Sequence, residues 1–325
     1  MVSRDVVGQF EKAVRRSWLL VPLSDVGLVE AAWSLGADVI VLDLMELVAE
    51  EDKPQARERV REAIQSVARG GAQVFAQVDK ELLYADLRAS VWPGLSGIIV
   101  PRLESPHEVA EADGLLSQLE EERGLLPATL QMVASVDTAM GNLRAIDIAR
   151  SSLRLWGITL GRADLVMDLR PEPSGEIHLM PYLMQRLIII ASAAGLVPLG
   201  AWWRAPARGL QASPEDTYQA ALRGRRIGFK GSLCIHPSQV EPLNRGFTPG
   251  DDEVAQAQRL ADAFHLQEEA GEAMLRLEGR TIDLPTAKAA RHLVDFAKAC
   301  ADRDEEKAQA VAWAAQDTTE QEAKP

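Results

Sequence analysis

Two aspartates stand where an α/β chain does its chemistry. Asp137 follows the apolar run 132–136 and Asp164 follows the run 155–160. Short runs with no polar alternation are the pattern of parallel strands buried on both faces. Sites in parallel α/β folds gather beyond the carboxyl ends of such strands. Two carboxylates from neighbouring strands could hold one hard cation such as Mg2+, leaving its other positions to water and substrate oxygens. A plainer role is open to both. Asp137 precedes Thr-Ala-Met, and it, like Asp164, could cap a helix.

The elements that must carry these residues alternate along the chain. Strands are expected at 17–21, 39–43, 73–78, 97–100, 132–136, 155–160, 196–201 and 232–235. Helices are expected at 26–35, 51–69, 106–122, 179–194 and 214–227, the fourth ending at Gly195 and the last opening on Ser213-Pro214. Strand–helix alternation implies a parallel α/β sheet, and the count of eight strands implies a (β/α)8 TIM barrel. Beyond Thr248-Pro249-Gly250 the pattern changes to a helix at 253–269, a hairpin from 273–277 and 281–284, and a helix at 285–300. The resulting plan is a lead-in helix at 1–14, a barrel at 15–250, a C-terminal helical and hairpin extension at 251–301, and a polar, partly disordered acidic tail at 302–325.

Composition narrows the function classes. The chain has 325 residues, 47% of them hydrophobic, enough for a substantial core. Its formal charge of −13 argues against nucleic acid, whose phosphates need a basic surface. Cys234 and Cys300 form no CxxC pair and no disulfide framework, which suits a reduced, cytoplasmic setting. The charged start MVSRDVVGQFEKAVRR has no apolar core of a signal peptide, and the run 187–194 is too short to cross a bilayer, so no membrane partner is expected. No Ser–His–Asp spacing or phosphate loop appears, and His236 in CIHP reads as structural.

Seven segments carry a resemblance. They are RSWLLVP (16–22), VIVLDLMELVAEEDK (39–53), IIVPRLES (98–105), VDTAMGN (136–142), LGRADLVMDL (160–169), the long GFKGSLCIHPSQVEPLNRGFTPGDDEVAQAQRL (228–260) and RTIDLPTAKAAR (280–291). Together they resemble the citrate lyase beta-subunit-like and malyl-CoA or citramalyl-CoA lyase proteins of the HpcH/HpaI aldolase superfamily, over about residues 15–300. The resemblance implies a TIM barrel with a C-terminal extension, assembled as a homo-oligomer, a trimer or hexamer. It implies reversible carbon–carbon cleavage of a 3-hydroxyacyl-CoA thioester with Mg2+ (or Mn2+) as Lewis acid. A strand-3 arginine would stabilise the enolate, and an aspartate of the extension would handle the proton.

Carried over residue by residue, the pattern is altered here. The metal-binding glutamate of the family's I-E-T-A-R-G motif aligns with Asp137, shorter by one methylene, up to about 1.5 Å of reach. The second ligand aligns with Asp164, and the acid pair of D-L-E-D-A becomes Met45-Glu46, so the implied metal set is Asp137, Asp164 and Glu46. The strand-3 arginine aligns with Gln77, an amide that can donate a hydrogen bond but carries no charge. Asp79 stands where that motif has asparagine. Arg102 and Arg162 are new arginines. Arg162, beside Asp164, is either the substitute positive group or a surface ion-pair partner. Asp283 in Thr-Ile-Asp-Leu-Pro is the implied catalytic aspartate, placed over a neighbouring subunit, or else the cap of the helix beginning near Pro285.

Arg16 and Pro22, flanking strand 1, fall to the CoA side. The loop Pro22-Leu23-Ser24-Asp25 lacks the usual glycine and basic residue and adds an acid. Trp202-Trp203 could wall the pocket or simply pack. Three functions are open: a Mg2+-dependent lyase of a malyl-CoA- or citramalyl-CoA-like thioester, an aldolase or lyase of a non-CoA acid, or a catalytically reduced homologue acting as a binding or assembly subunit.

Overall fold

The computed structural model describes residues 13–169, 180–203, 212–269, 275–277 and 280–322, excluding the side chains of 162–163, 266–269, 275–277, 280–281 and 317–322. Eight apolar runs become strands: β1 (Ser17–Pro22), β2 (Val39–Asp43), β3 (Gln73–Gln77), β4 (Leu95–Val100), β5 (Gln131–Ser135), β6 (Leu155–Thr159), β7 (Val197–Pro198) and β8 (Ser232–Cys234). Among the described residues the intervening helices are α1 (Val26–Ala31), α2 (Lys53–Ala68), α3 (Leu83–Ser90), α4 (Pro106–Glu122), α5 (Ala139–Leu143), α6 (Ala145–Ala149), α7 (Arg162–Leu169), α8 (Met180–Ala194), α9 (Pro214–Ile227) and α10 (Val240–Phe247). The sheet order is β7-β6-β5-β4-β3-β2-β1-β8, with every pairing parallel. Its two ends meet. Leu199 bridges Gly231, and the Gly200 amide donates to the Gly231 carbonyl at 2.7 Å. The chain is a (β/α)8 barrel.

Both faces of the strands are apolar because both are buried. Trp18, Leu20, Val39, Val41, Phe75, Ile99, Val133, Trp156 and Leu199 fill the barrel. Their neighbours Leu19, Val21, Ile40, Leu42, Val74 and Ile98 face the helices. Register shifts in the β3–β4 and β5–β6 pairings change the parity, so that Gly97 lies beside Phe75 and Gly157 beside Val133. At the carboxyl ends the inward positions are polar, at Asp43, Gln77, Ser135 and Thr159, which gives the site its place.

The amino ends are closed by charge. Asp38 is fully buried and accepts from the Arg16 amide at 2.8 Å, from Arg16 Nε at 2.8 Å and Nη2 at 3.0 Å, and from Lys307 Nζ at 2.5 Å. Lys307 Nζ also donates to the Gly36 carbonyl at 2.8 Å. The Arg15 guanidinium lies 4.2 Å from the Trp156 ring centroid and 5.1 Å from that of Phe75, capping the interior.

The contacts divide the chain into a barrel unit, running to Phe247 and resuming at Lys307, and a second unit, Thr248–Glu306. The second unit holds α11 (Asp251–Glu269), an antiparallel hairpin of β9 (Leu275–Leu277) and β10 (Arg280–Ile282), and the start of α12 (Leu284–Glu322). Phe264, Ile282 and Ala287 form one small core there, and Ala257, Ala261 and Ala290 another.

Two expectations are corrected. Residues 302–322 are helical, since α12 continues to Glu322. The segment is polar, but its Ala, Glu, Gln and Lys are good helix formers, and it buries Lys307 and Ala314. Helices α3 and α10, absent from the sequence-based expectation, complete the alternation. The proposed lead-in helix at 1–14 lies almost wholly outside the described residues, and 13–16 are not helical.

The Asp38 cluster predicts a stability effect. Asp38→Asn leaves two buried cations facing an amide, at an expected cost of about 3–5 kcal/mol in urea unfolding. Lys307→Met keeps the Arg16 pair and costs less. Burial alone would raise the Asp38 pKa, but Arg16 and Lys307 hold it below its ordinary value of 3.8. The stabilisation is therefore fully present above pH about 4 and lost as pH falls through the depressed folded value. An Asp38→Asn protein as stable as the parent at pH 7 would refute this account.

Candidate active site

The strand ends bring most of the expected residues to one mouth. Asp43 closes β2 with its side chain turned back onto its own loop. Its carboxylate accepts from the amides of Met45 and Glu46, each at 3.1 Å, and of Leu47 at 2.6 Å, which fixes the backbone that carries Glu46. Gln77, at the end of β3, donates from Nε2 to Glu46 Oε2 at 3.3 Å. Partial burial raises the Glu46 pKa; the Gln77 hydrogen bond opposes this, and the charges of Asp43, Asp164 and Asp137 add to the rise.

Asp137 lies just beyond β5 and is 2% exposed. Its Oδ1 accepts from Ser135 Oγ and from the Gly161 amide at 2.6 Å, and its Oδ2 accepts from the Arg102 amide at 2.8 Å. One carboxylate thus ties together the chain ends after β4, β5 and β6. Burial raises its pKa, Ser135, Arg102 and Gly161 pull it down, and the Asp164 charge adds to the rise. Gly161 has to be glycine for this contact, because a Cβ there would fall 2.6 Å from Asp137 Oδ1. Ser135 is the member that the sequence alone did not single out. The signal was its position two residues before Asp137, on the same face of the strand.

Asp164 sits in the first turn of α7 and meets Arg102, Nε to Oδ2 at 3.3 Å, with both side chains about half exposed. Arg102 holds an unusual backbone, φ +52°, and its carbonyl accepts from Lys80 Nζ at 2.9 Å. Asp79 pairs with the buried Lys53 at 2.7 Å. The Arg162 side chain lies outside the described residues.

The remaining expected residues have local partners of their own or no site contact among the described residues. Arg16 is a correction to the CoA assignment, since it precedes β1 at the amino end of the barrel and is sealed against Asp38. Pro22 ends β1 at the mouth, in register with Asp43. Asp25 caps α1 through the Leu28 amide at 2.9 Å. Asp283 caps α12, accepting from the Thr286 amide at 3.0 Å and from Thr286 Oγ1 at 2.5 Å. Trp202 packs against the layer outside the barrel, and the His236 ring accepts from the Ser238 amide, the structural role expected of it.

The carboxylates do not make a metal ligand set as folded. Asp137 is enclosed and holds three donors, Asp164 is paired with Arg102, and Glu46 receives Gln77. Mg2+ asks for free oxygens at near-octahedral positions. Among the described residues no group of three or more His, Cys, Asp or Glu stands so that it could hold a metal ion.

Comparison with known proteins gives the wider frame. The family model described as HpcH/HpaI aldolase/citrate lyase matches residues 16–237. The chain belongs to that family. It is 30% identical over 290 residues to the citrate lyase subunit beta of Haemophilus influenzae, covering 88% of this chain and 97% of that one. It is 27% identical over 302 residues to the human mitochondrial citramalyl-CoA lyase, covering 87% and 85%. Among solved structures, the CitE protein of Mycobacterium tuberculosis in complex with magnesium, acetoacetate and coenzyme A has a TM-score of 0.68 at 22% identity, covering 88% of this chain and 99% of that one. That likeness supports the barrel. Among the described residues no helix is long and apolar enough to cross a membrane.

The Asp137 knot makes its own prediction. Gly161→Ala places a methyl against a carboxylate that has nowhere to turn, at an expected cost of about 1–3 kcal/mol. Asp137→Asn points an NH2 group at amide donors, at roughly 1–3 kcal/mol for each group left unpaired. Thermal melts of both variants check this, and unchanged melting would show that the knot bears no weight.

Proposed function

We propose that this chain is a carbon–carbon lyase of a short 3-hydroxyacyl substrate, a malyl-CoA- or citramalyl-CoA-like thioester. The observation that carries the reading is the Glu46–Gln77 pair at the carboxyl end of a barrel in a family whose relatives are named as lyases of this kind. In the cleavage, a base takes the proton of the 3-hydroxyl and the bond between C2 and C3 breaks. The electron pair passes to the thioester enolate, which is then protonated at carbon. Glu46, with its raised pKa, is placed to hold a proton at pH values where an ordinary glutamate has lost it. The Gln77 amide is the strand-end donor for the enolate oxygen. The positive charge of the missing strand-3 arginine falls to the new arginines, Arg162 and Arg102. The magnesium bound in the mycobacterial neighbour makes a divalent ion a candidate for this site. The carboxylates of this chain, already engaged by Ser135, Gly161, Arg102 and Gln77, do not fit such an ion as folded.

A second reading, cleavage of a free hydroxy acid, is favoured by Asp25. This acid caps α1 just past Pro22, on the loop assigned to the CoA phosphates, and would repel a diphosphate. Turnover of acyl-CoA thioesters and of the matching free acids, each with and without Mg2+, separates the two. Failure of both substrate classes would sink the lyase reading and leave a binding or assembly role.

The altered positions bear directly on activity. Arg162→Ala should cut turnover at least about a hundredfold, on the scale of losing one oxyanion donor. Gln77→Arg in that background should restore part of it; unchanged turnover in Arg162→Ala would make Arg162 a surface residue. We also propose a homo-oligomer in which Asp283 serves a neighbouring copy. Asp283→Asn and Asp164→Asn chains, each inactive alone, should regain activity when refolded together, and absence of rescue in verified mixed oligomers would refute the shared site.

A further inference from the structure

We propose that Arg102 is the built-in cation of this mouth, that Asp137 positions it, and that the two take the place of a divalent ion between Asp137 and Asp164. The first support is how Arg102 is held. Its amide is captured by Asp137 Oδ2 at 2.8 Å, its Nε reaches Asp164 Oδ2 at 3.3 Å, and its carbonyl takes Lys80 Nζ at 2.9 Å. A non-glycine residue at φ +52° persists only where its surroundings over-determine it, and these three contacts do so.

The second support is the state of Asp137. Its carboxylate is 2% exposed and already accepts from Ser135, Gly161 and Arg102. The Gly161 backbone lies so close that even a Cβ there would meet Oδ1 at 2.6 Å. A ligand oxygen has to point at its ion, and these oxygens point at amides and a hydroxyl. Asp137 therefore acts through Arg102 and is a positioning residue.

The third support is charge and geometry. The Arg102 charge lies among acids: it pairs with Asp164, and it adds a small share to the pull of Lys53 and the Glu81 amide that holds the Asp79 carboxyl below its ordinary pKa. Among the described residues only its Nε is engaged by a side-chain acceptor, and the side chain is about half exposed. Among the described residues the terminal NH2 groups of the fork thus remain for a substrate carboxylate, which a guanidinium binds in two-point fashion. The chemistry implied is recognition of a small carboxylate without an intervening ion. The inference rests on the proposed lyase reading only for the substrate class, and its test needs no turnover.

The test is Mn2+ binding to the full chain, followed by electron paramagnetic resonance. The parent should show no site tighter than about 1 mM. Arg102→Gly is the informative single variant, because glycine accepts φ +52° and removes the charge. Joined to Asp137→Glu, which restores the longer arm, it should gain Mn2+ affinity at least about tenfold over the parent. Arg102→Gly alone, with Asp164 released, should gain in the same direction and serves if the double variant does not fold. Tight Mn2+ binding by the parent that falls tenfold in Asp137→Asn would overturn the proposal. So would folded variants that gain nothing.

Discussion

The organisation of this mouth depends on one buried carboxylate. Asp137 takes a hydroxyl from its own strand end and an amide from each of two others, at Gly161 and Arg102. Parallel barrels leave their strand ends without regular partners, so the loops beyond them need a fixed point. A carboxylate accepting backbone amides supplies one, and each such charge-assisted bond is about twice as strong as a neutral one. The consequences are geometric: Arg102 is turned into a left-handed backbone, its side chain is delivered to Asp164, and Gly161 is pressed so close that no side chain fits. The short aspartate side chain suits these contacts. A longer acid would carry its oxygens outward, past the amides that now hold them.

The opposite end of the barrel solves a different problem with the same means. Asp38 joins Arg16, which leads into β1, to Lys307 on α12, and Ser17 Oγ receives the Asp38 amide at 3.0 Å. A buried charge network of this kind holds only if every member is paired. It gives the late helix a reason to be ordered that its own composition hides. The segment around Lys307 looks like a solvated acidic tail, yet a single lysine with a buried partner decides where it lies.

The strands were legible because burial on both faces writes itself as unbroken apolar runs, and seven of the eight runs fall within about two residues of the observed strands at both ends. Helix ends with strong chemistry were equally legible: α9 opens on the Ser213 capping box and α8 is followed by Gly195 at φ +72°. Short helices were not. Residues 83–90 carry an Asp and an Arg among apolar residues over barely two turns, too little for a period to declare itself. β7 is only Val197–Pro198, although the chain keeps pairing beyond it through the Leu199 amide, which donates to the Ile158 carbonyl at 2.9 Å. At the site, residue types and strand ends pointed to Asp137 and Asp164, and the family resemblance added Glu46 and Gln77; Asp43 was not singled out. The partner that each oxygen had taken stayed hidden. Arg16 misled for that reason: a basic residue beside strand 1 reads as a phosphate binder until its buried aspartate is seen.

The neutral Gln77 on strand 3 and the acid at position 46 act on each other. Burial raises the Glu46 pKa most, Gln77 gives it a single uncharged hydrogen bond at 3.3 Å that opposes this, and the charges of Asp43, Asp164 and Asp137 add to the rise. An arginine in place of Gln77 would stand beside that carboxylate as a full charge and ionise it. With an amide, the acid keeps company mainly with other acids, and its proton is retained more readily than usual. Positive charge then has to enter the mouth from another strand. The nearest described source is Arg102, held after β4 by the carboxylate just beyond β5. A cation supplied from beyond strand 4 and a position 46 that keeps its proton thus fit together, and each part makes the other tolerable.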